Sequence, residues 1–148
     1  MDVNRSAPVV AEAEIEIEAP PERVWETLVD VESWPNWNPE VKSVVLEGGT
    51  REGSVFRWKT NSGTITSTFQ TIEPPMHVAW TGKTMSIKAI HTWRLKQADG
   101  MTNVRTAESF EGLLARLLRR RLRKMLQKTL DTGVQTLKTE VERQVAVA

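Results

Sequence analysis

The stretch GLLARLLRRRLRKMLQKTLDTGVQTLKTEVERQV, residues 112 to 145, constrains the fold more than any other part of the chain. Leu114, Leu118, Leu122, Met125, Leu126, Thr129, Leu130, Gly133, Leu137 and Val141 recur at three- and four-residue steps, which predicts one long helix carrying a continuous apolar stripe. Such a helix is stabilised mainly by burying its stripe. The residues before it read as short strands, so its expected partner is a curved sheet wrapped over it.

A chain of 148 residues is expected to form a single domain, here residues 1–148 with 1–8 as a flexible leader and 9–145 as the folded core. With no cysteine it has neither disulfides nor thiolate chemistry. It shows no charged-then-apolar leader and no apolar run near the ~20 residues of a membrane span, so a soluble, cytoplasmic protein is expected. The net charge of +1 hides an asymmetry: residues 1–111 hold 11 Lys/Arg against 16 Asp/Glu, whereas residues 112–148 hold 9 against 3. The excess lies on the helix, where Arg119, Arg120, Arg121 and Arg123 crowd the positive end of its dipole. The simpler reading is a solvated face partly neutralised by glutamates of the sheet. The alternative is an anionic partner, either a membrane surface or nucleic acid; the solvated face is favoured because no groove-reading motif or interleaved aromatic accompanies the cluster, and no nucleic acid is expected.

Along the chain, Val9 to Glu18 alternates strictly, with Ala11, Ala13, Ile15 and Ile17 on one face and Glu12, Glu14, Glu16 and Glu18 on the other, as in a half-buried strand. Pro20-Pro21 ends it and opens a short helix over Glu22 to Val29. A second helical piece is expected in Ser33-Trp34-Pro35-Asn36-Trp37-Asn38-Pro39, with Ser33 as its cap. Strands follow at 41–47, 54–60, 63–73, 76–82, 85–96 and 101–111, punctuated by Gly48-Gly49, Asn61-Ser62-Gly63, Pro74-Pro75 and Asp99-Gly100. Short links imply an antiparallel meander. The whole is an α+β chain with about seven strands around a C-terminal helix.

This order resembles the START-like, Bet v 1-type superfamily, and within it the polyketide cyclase/dehydrase and SRPBCC lipid-transport group. The residues carrying the resemblance are Ala19-Pro20-Pro21-Glu22-Arg23-Val24-Trp25 with Leu28 and Asp30, Trp34-Pro35-Asn36-Trp37-Asn38-Pro39, Glu73-Pro74-Pro75 leading to Trp80-Thr81-Gly82, and Glu108-Ser109-Phe110-Glu111-Gly112. It spans residues 9 to 145. The resemblance implies a helix-grip fold whose sheet and long helix enclose a cavity for lipids, sterols, polyketides or aromatic metabolites. Carriers, sensors and cyclases share that fold, so it does not select among them.

Six tryptophans and three phenylalanines stand beside no tyrosine. Alternation gathers Phe56, Trp58, Val78, Trp80 and Trp93 on one sheet face, with Trp34 and Trp37 at the end nearest the short helices. Phe69, Met85, Ile87, Leu122 and Met125 complete the expected lining. Wide flat side chains suit a planar or greasy ligand, although they also serve to fill a core. Access is expected near the short helices and the loops at 48–53, 61–63 and 82–84.

Two groups are out of character on this face. His91 lies among Ala89, Trp93 and Leu95, and Glu108 shares a register with Val104, Thr106 and Phe110 on the next strand. Pairing Leu95 with Thr102 sets His91 opposite Thr106 and diagonal to Glu108; a slip by one pair on each side sets His91 opposite Glu108. An inward carboxylate there must have a raised pKa or hold a charged imidazole. His91 and Glu108 are therefore the candidate site, read three ways: anchors for a ligand's hydroxyl or carbonyl, acid/base groups of a cyclase/dehydratase, or a structural pair.

No G-x-S-x-G, G-x-x-x-x-G-K-[ST] or G-x-G-x-x-G motif is present. With His77 and His91 the only histidines, no metal and no cofactor are expected; His77, just after Pro74-Pro75, reads as a surface residue, and Arg57, Arg94 and Arg105 as solvated. The polar strand 63–73 is either a hydrated patch of cavity or an exposed stretch. The sequence thus supports binding of a small hydrophobic or aromatic ligand, with the cyclase/dehydratase and anionic-surface readings as rivals, and it allows a homodimer without selecting a surface.

Overall fold

The structure, a computed structural model, describes residues 1–147. Strand β1 (Val9–Ile17) leads into helix α1 (Pro21–Val29) and a 3-10 turn over Val31–Asn36. The meander β2 (Val41–Glu47), β3 (Val55–Thr60), β4 (Gly63–Glu73), β5 (His77–Thr84), β6 (Ile87–Ala98) and β7 (Met101–Glu111) follows, then α2 (Leu113–Leu117) and α3 (Arg119–Val147). All seven strands form one antiparallel sheet in the order β1-β7-β6-β5-β4-β3-β2. The curved sheet grips the C-terminal helix, so the fold is the expected helix-grip.

The strand ends follow local chemistry. Pro21 opens α1, where a missing N–H costs nothing. The 3-10 turn begins after Asp30 rather than at Ser33, whose hydroxyl instead donates to the Asp30 carboxylate at 2.7 Å. Asp99 and Gly100, both at positive φ, form a two-residue hairpin turn that pairs Ala98 with Met101.

The predicted single helix is broken. Gly112 has φ +114°, and a Cβ there would sit 1.9 Å from the Ser86 carbonyl oxygen. This close approach pins the start of α2 to the β5–β6 turn, whereas α3 runs along β1. The two are joined at Leu118, which leaves helical geometry at φ −109°, ψ 30°. Leu122, Leu126, Leu130, Val134, Leu137 and Val141 form the buried stripe. Val134 thus joins the stripe beside Gly133, against which Trp93 packs.

Helix α3 also covers the sheet edge. Gln127 Nε2 donates to the Glu12 carbonyl at 2.7 Å and Lys138 Nζ to the Glu16 carbonyl at 2.9 Å, satisfying groups that an edge strand would otherwise present to solvent. At the far end the Glu18 N–H donates to Glu142 (2.9 Å), and Thr27 meets Gln144 (3.2 Å), tying α1 to the last turns of α3.

Two expectations fail on the sheet's outer face. Residues 1–8 do not fray: Val3 is buried, the Asn4 N–H donates to Ser109 Oγ at 3.1 Å, and the N-terminal amine donates to Thr71 Oγ1 at 3.2 Å. The segment crosses the outer side of β7, β6, β5 and β4, where Ala107, Thr92 and Ala79 lie in register and are buried. His77 is buried too, its Nδ1 3.1 Å from the Trp93 carbonyl and its Nε2 3.1 Å from the Met1 carbonyl. It was expected at the surface because its cover comes from residues 76 positions away. No helix among the described residues is long and apolar enough to cross a membrane.

Candidate functional site

The interior divides into two apolar clusters. One gathers Trp25, Trp34, Phe56, Phe69, Val78, Trp80, Trp93 and Val104 with the last turns of α3. The other gathers Val9, Ala11, Ile87 and Ala115 with Leu122, Leu126 and Leu130, and Phe110 and Leu114 pack on it. His91 and Glu108 sit at the seam between them. They are direct cross-strand partners, Glu108 also lies opposite Ala11, and His91 opposite Trp80. The Asp99-Gly100 turn thus selects the slipped register, with Leu95 opposite Val104.

Within this pair His91 Nδ1 lies 3.5 Å from Glu108 Oε1, and solvent reaches only 11% and 14% of the two side chains. On its other side His91 Nε2 is 2.8 Å from Thr106 Oγ1, and that hydroxyl donates to the Thr92 carbonyl at 2.9 Å. A hydroxyl has one proton. With it given to Thr92, Thr106 must accept from His91, so Nε2 carries the hydrogen and Nδ1 of the neutral ring turns its lone pair to Glu108. Burial disfavours both charges, pushing Glu108 up to about 8 and His91 down to about 3. Burial thus favours an uncharged acid beside an uncharged imidazole over an ion pair. Among the described residues the Glu108 carboxyl makes no hydrogen bond, so its O–H retains donor capacity towards Nδ1 or a third group.

The aromatic side chains of the inner face pack on one another. Trp34, Phe56, Phe69 and Trp80 are buried and packed on one another, with centroids 4.9 Å apart for Phe56–Phe69 and 5.5 Å for Trp34–Trp80. Trp58, half-buried, stands 5.3 Å from Trp34 and donates through Nε1 to the buried Ser67 Oγ at 3.0 Å. His91 stacks between Trp80 and Trp93, at 5.0 and 5.4 Å. The indole N–H groups of Trp37 and Trp93 are buried without a partner among the described residues. Such orphaned donors are rare and costly.

Met85 is a correction. It is 88% exposed at φ 53° in the β5–β6 turn, because β6 starts at Ile87 and not at residue 85. Ile87 and Leu122 belong to the second cluster, whereas Met125 is largely exposed on the rim. At this end of the inner face Ile65, Ala89, Phe110 and Leu114 are half-buried and Leu118 exposed. Gly82 is tightly packed there, since a Cβ on it would come within 3.3 Å of Ile65 Cγ2 and 3.4 Å of Ser67 Oγ. Strand β4 divides accordingly, with Thr64 and Thr66 exposed and Ser67 inward.

Thr106 and Gly82 were missed as site residues. Thr106 could have been found, since a hydroxyl two residues from Glu108 on the same strand shares its face. Among the described residues no three His, Cys, Asp or Glu side chains group as metal ligands.

The fold recurs in solved structures. A hypothetical protein from Helicobacter pylori superposes with a TM-score of 0.83 at 14% identity, over 93% of this chain and 90% of that one. The Zhui aromatase/cyclase from a Streptomyces species gives 0.81 at 18% identity, over 92% and 94%. A START superfamily protein from Mycobacterium smegmatis gives 0.78 at 17% identity, over 91% and 98%. None of the curated proteins is similar to this chain in sequence. Residues 8–142 match the family described as polyketide cyclase / dehydrase and lipid transport, and with nearly its whole length so matched the chain belongs to that family.

Proposed function

We propose that the chain binds a small, uncharged hydrophobic or aromatic molecule on the concave face between the sheet and α3, and that Glu108 and His91 orient a hydroxyl or carbonyl of that molecule. The observation that carries the reading is the unspent hydrogen-bonding capacity of the Glu108 carboxyl, buried at the seam of two apolar clusters. A protonated acid donates to a carbonyl, and the Nδ1 lone pair accepts from a hydroxyl. A ligand carboxylate would meet no cation there, so a neutral polar group is favoured. The family's lipid-transport and cyclase description and the aromatase/cyclase neighbour fit a ligand of this class.

Native mass spectrometry of the purified protein, followed by extraction, tests the reading. A retained lipid or aromatic compound is the expected result. With such a compound, or with a hydrophobic probe followed by tryptophan fluorescence, His91→Ala is expected to weaken binding ~2- to 10-fold, the worth of one hydrogen bond. Lost thermal stability with unchanged affinity would make the pair purely structural.

A cyclase or dehydratase reading draws on the same acid beside the same base. His91 Nδ1 would take a proton from the carbon beside a carbonyl, while the Glu108 O–H protonates a departing hydroxyl that leaves as water. The shifts work against it. An imidazole whose conjugate acid has a pKa of about 3 is a weak base for a C–H bond, and Glu108, a stronger base once ionised, holds its proton below about pH 8. Binding is therefore the primary reading; turnover that rises with pH through about 8 would reverse the order.

A further inference from the structure

We propose that the α2–α3 junction and the adjoining β5–β6 turn form a docking surface for an anionic lipid bilayer. The surface combines uncompensated positive charge with protruding apolar side chains.

Arg119, Arg120, Arg121, Arg123 and Lys124 are all exposed, and no acidic residue occurs between Glu111 and Asp131. None of them forms an ion pair among the described residues. Of the sheet glutamates expected to neutralise them, Glu12 is engaged by Arg5 and Glu14 by Arg105. Three of the arginines occupy the first turn of α3, where the helix dipole makes cations unfavourable. The fold therefore gains nothing from this cluster, and an external anion is what would offset its cost.

Beside the cations the chain exposes apolar side chains it has not buried. Leu113 and Leu117, one helical turn apart on α2, are 67% and 70% exposed, while Ala115 is buried beneath them. Met85 protrudes from the turn that Gly112 holds against α2. Apolar side chains ringed by arginine suit an interface in which the former enter the headgroup–acyl boundary and the latter meet lipid phosphates. Nucleic acid is disfavoured, because residues 112–147 hold no aromatic side chain on which a base could stack. Docking stands independently of the ligand reading; only one consequence rests on that reading, namely that the end of the concave face beside Leu118 and Met125 would face the bilayer.

The test is co-sedimentation of the full chain with vesicles of phosphatidylcholine alone and of phosphatidylcholine containing phosphatidylserine. Binding is expected only to the latter, falling as salt is raised. Combined Arg119→Gln, Arg120→Gln, Arg121→Gln and Arg123→Gln should lower affinity on the order of 100-fold or more, at ~1 kcal/mol per cation, with an unchanged circular dichroism spectrum. Leu113→Ser with Leu117→Ser should remove the part of the binding that survives high salt. No binding at low salt, equal binding to neutral vesicles, an undiminished arginine variant, or tighter binding to single-stranded DNA than to the vesicles would each overturn the proposal. Hydrophobic-probe binding measured on the same variants separates this outcome from the ligand reading, because the substituted side chains lie outside the concave face.

Discussion

Glu108 and His91 shift in opposite directions, and the signs give a pH signature. The carboxyl is raised from 4.5 to about 8, so below pH 4.5 it is protonated folded or unfolded and costs nothing. Above 4.5 the unfolded chain releases this proton while the native chain keeps it, and stability is lost up to about pH 8. His91 falls from 6.5 to about 3, so its contribution is present above 6.5 and is lost as pH drops towards 3. Between pH 4.5 and 6.5 the slopes cancel, leaving a plateau with a decline on either side. One uncompensated proton between pH 6.5 and 8 is worth about 2 kcal/mol. Glu108→Gln should remove that alkaline decline, which urea unfolding at the two pH values would show; equal declines in both proteins would mean that Glu108 is ionised in the native state. Thr106→Val should cost about 1–3 kcal/mol by stranding the His91 N–H, and Thr106→Ser should restore most of it; an unaffected melting temperature in the Val variant would contradict the assigned tautomer.

At the scale of elements, the periodicities read well wherever neighbours are close in sequence. The alternation of β1, β6 and β7 placed His91 and Glu108 on one inner face, and the helical stripe found the buried side of α3. Register was left between two choices because the hairpin turn was not resolved to its two residues. The Asp-Gly pair, which favours positive φ at both positions, held that information. The break at Leu118 was not legible, since the apolar spacing continues through it and its cause is a contact between Gly112 and Ser86, remote in sequence. The cover of His77 by residues 1–8 was illegible for the same reason. Gly112→Ala tests this account of the break: a Cβ cannot coexist with the Ser86 carbonyl at 1.9 Å, so the variant should lose roughly 1–3 kcal/mol by chemical denaturation. Unchanged stability would mean that α2 is free to leave the turn.

Taken whole, the molecule is a sheet covered on one side by α3, with α1 tied to the last turns of that helix. The aromatic rings near β3, β4 and β5 pack against one another, so part of the face foreseen as lining also serves as core. On the proposed reading, a ligand is received by the half-buried residues around Gly82 together with the Glu108–His91 pair. The central claim is that this face holds a neutral hydrophobic ligand through Glu108 and His91. The most direct measurement is native mass spectrometry of the purified wild type beside Glu108→Ala, with extraction of whatever is carried. The account predicts a retained hydrophobic compound in the wild type and its depletion in a variant that stays folded. A wild type that carries nothing and whose tryptophan fluorescence ignores hydrophobic probes would contradict it.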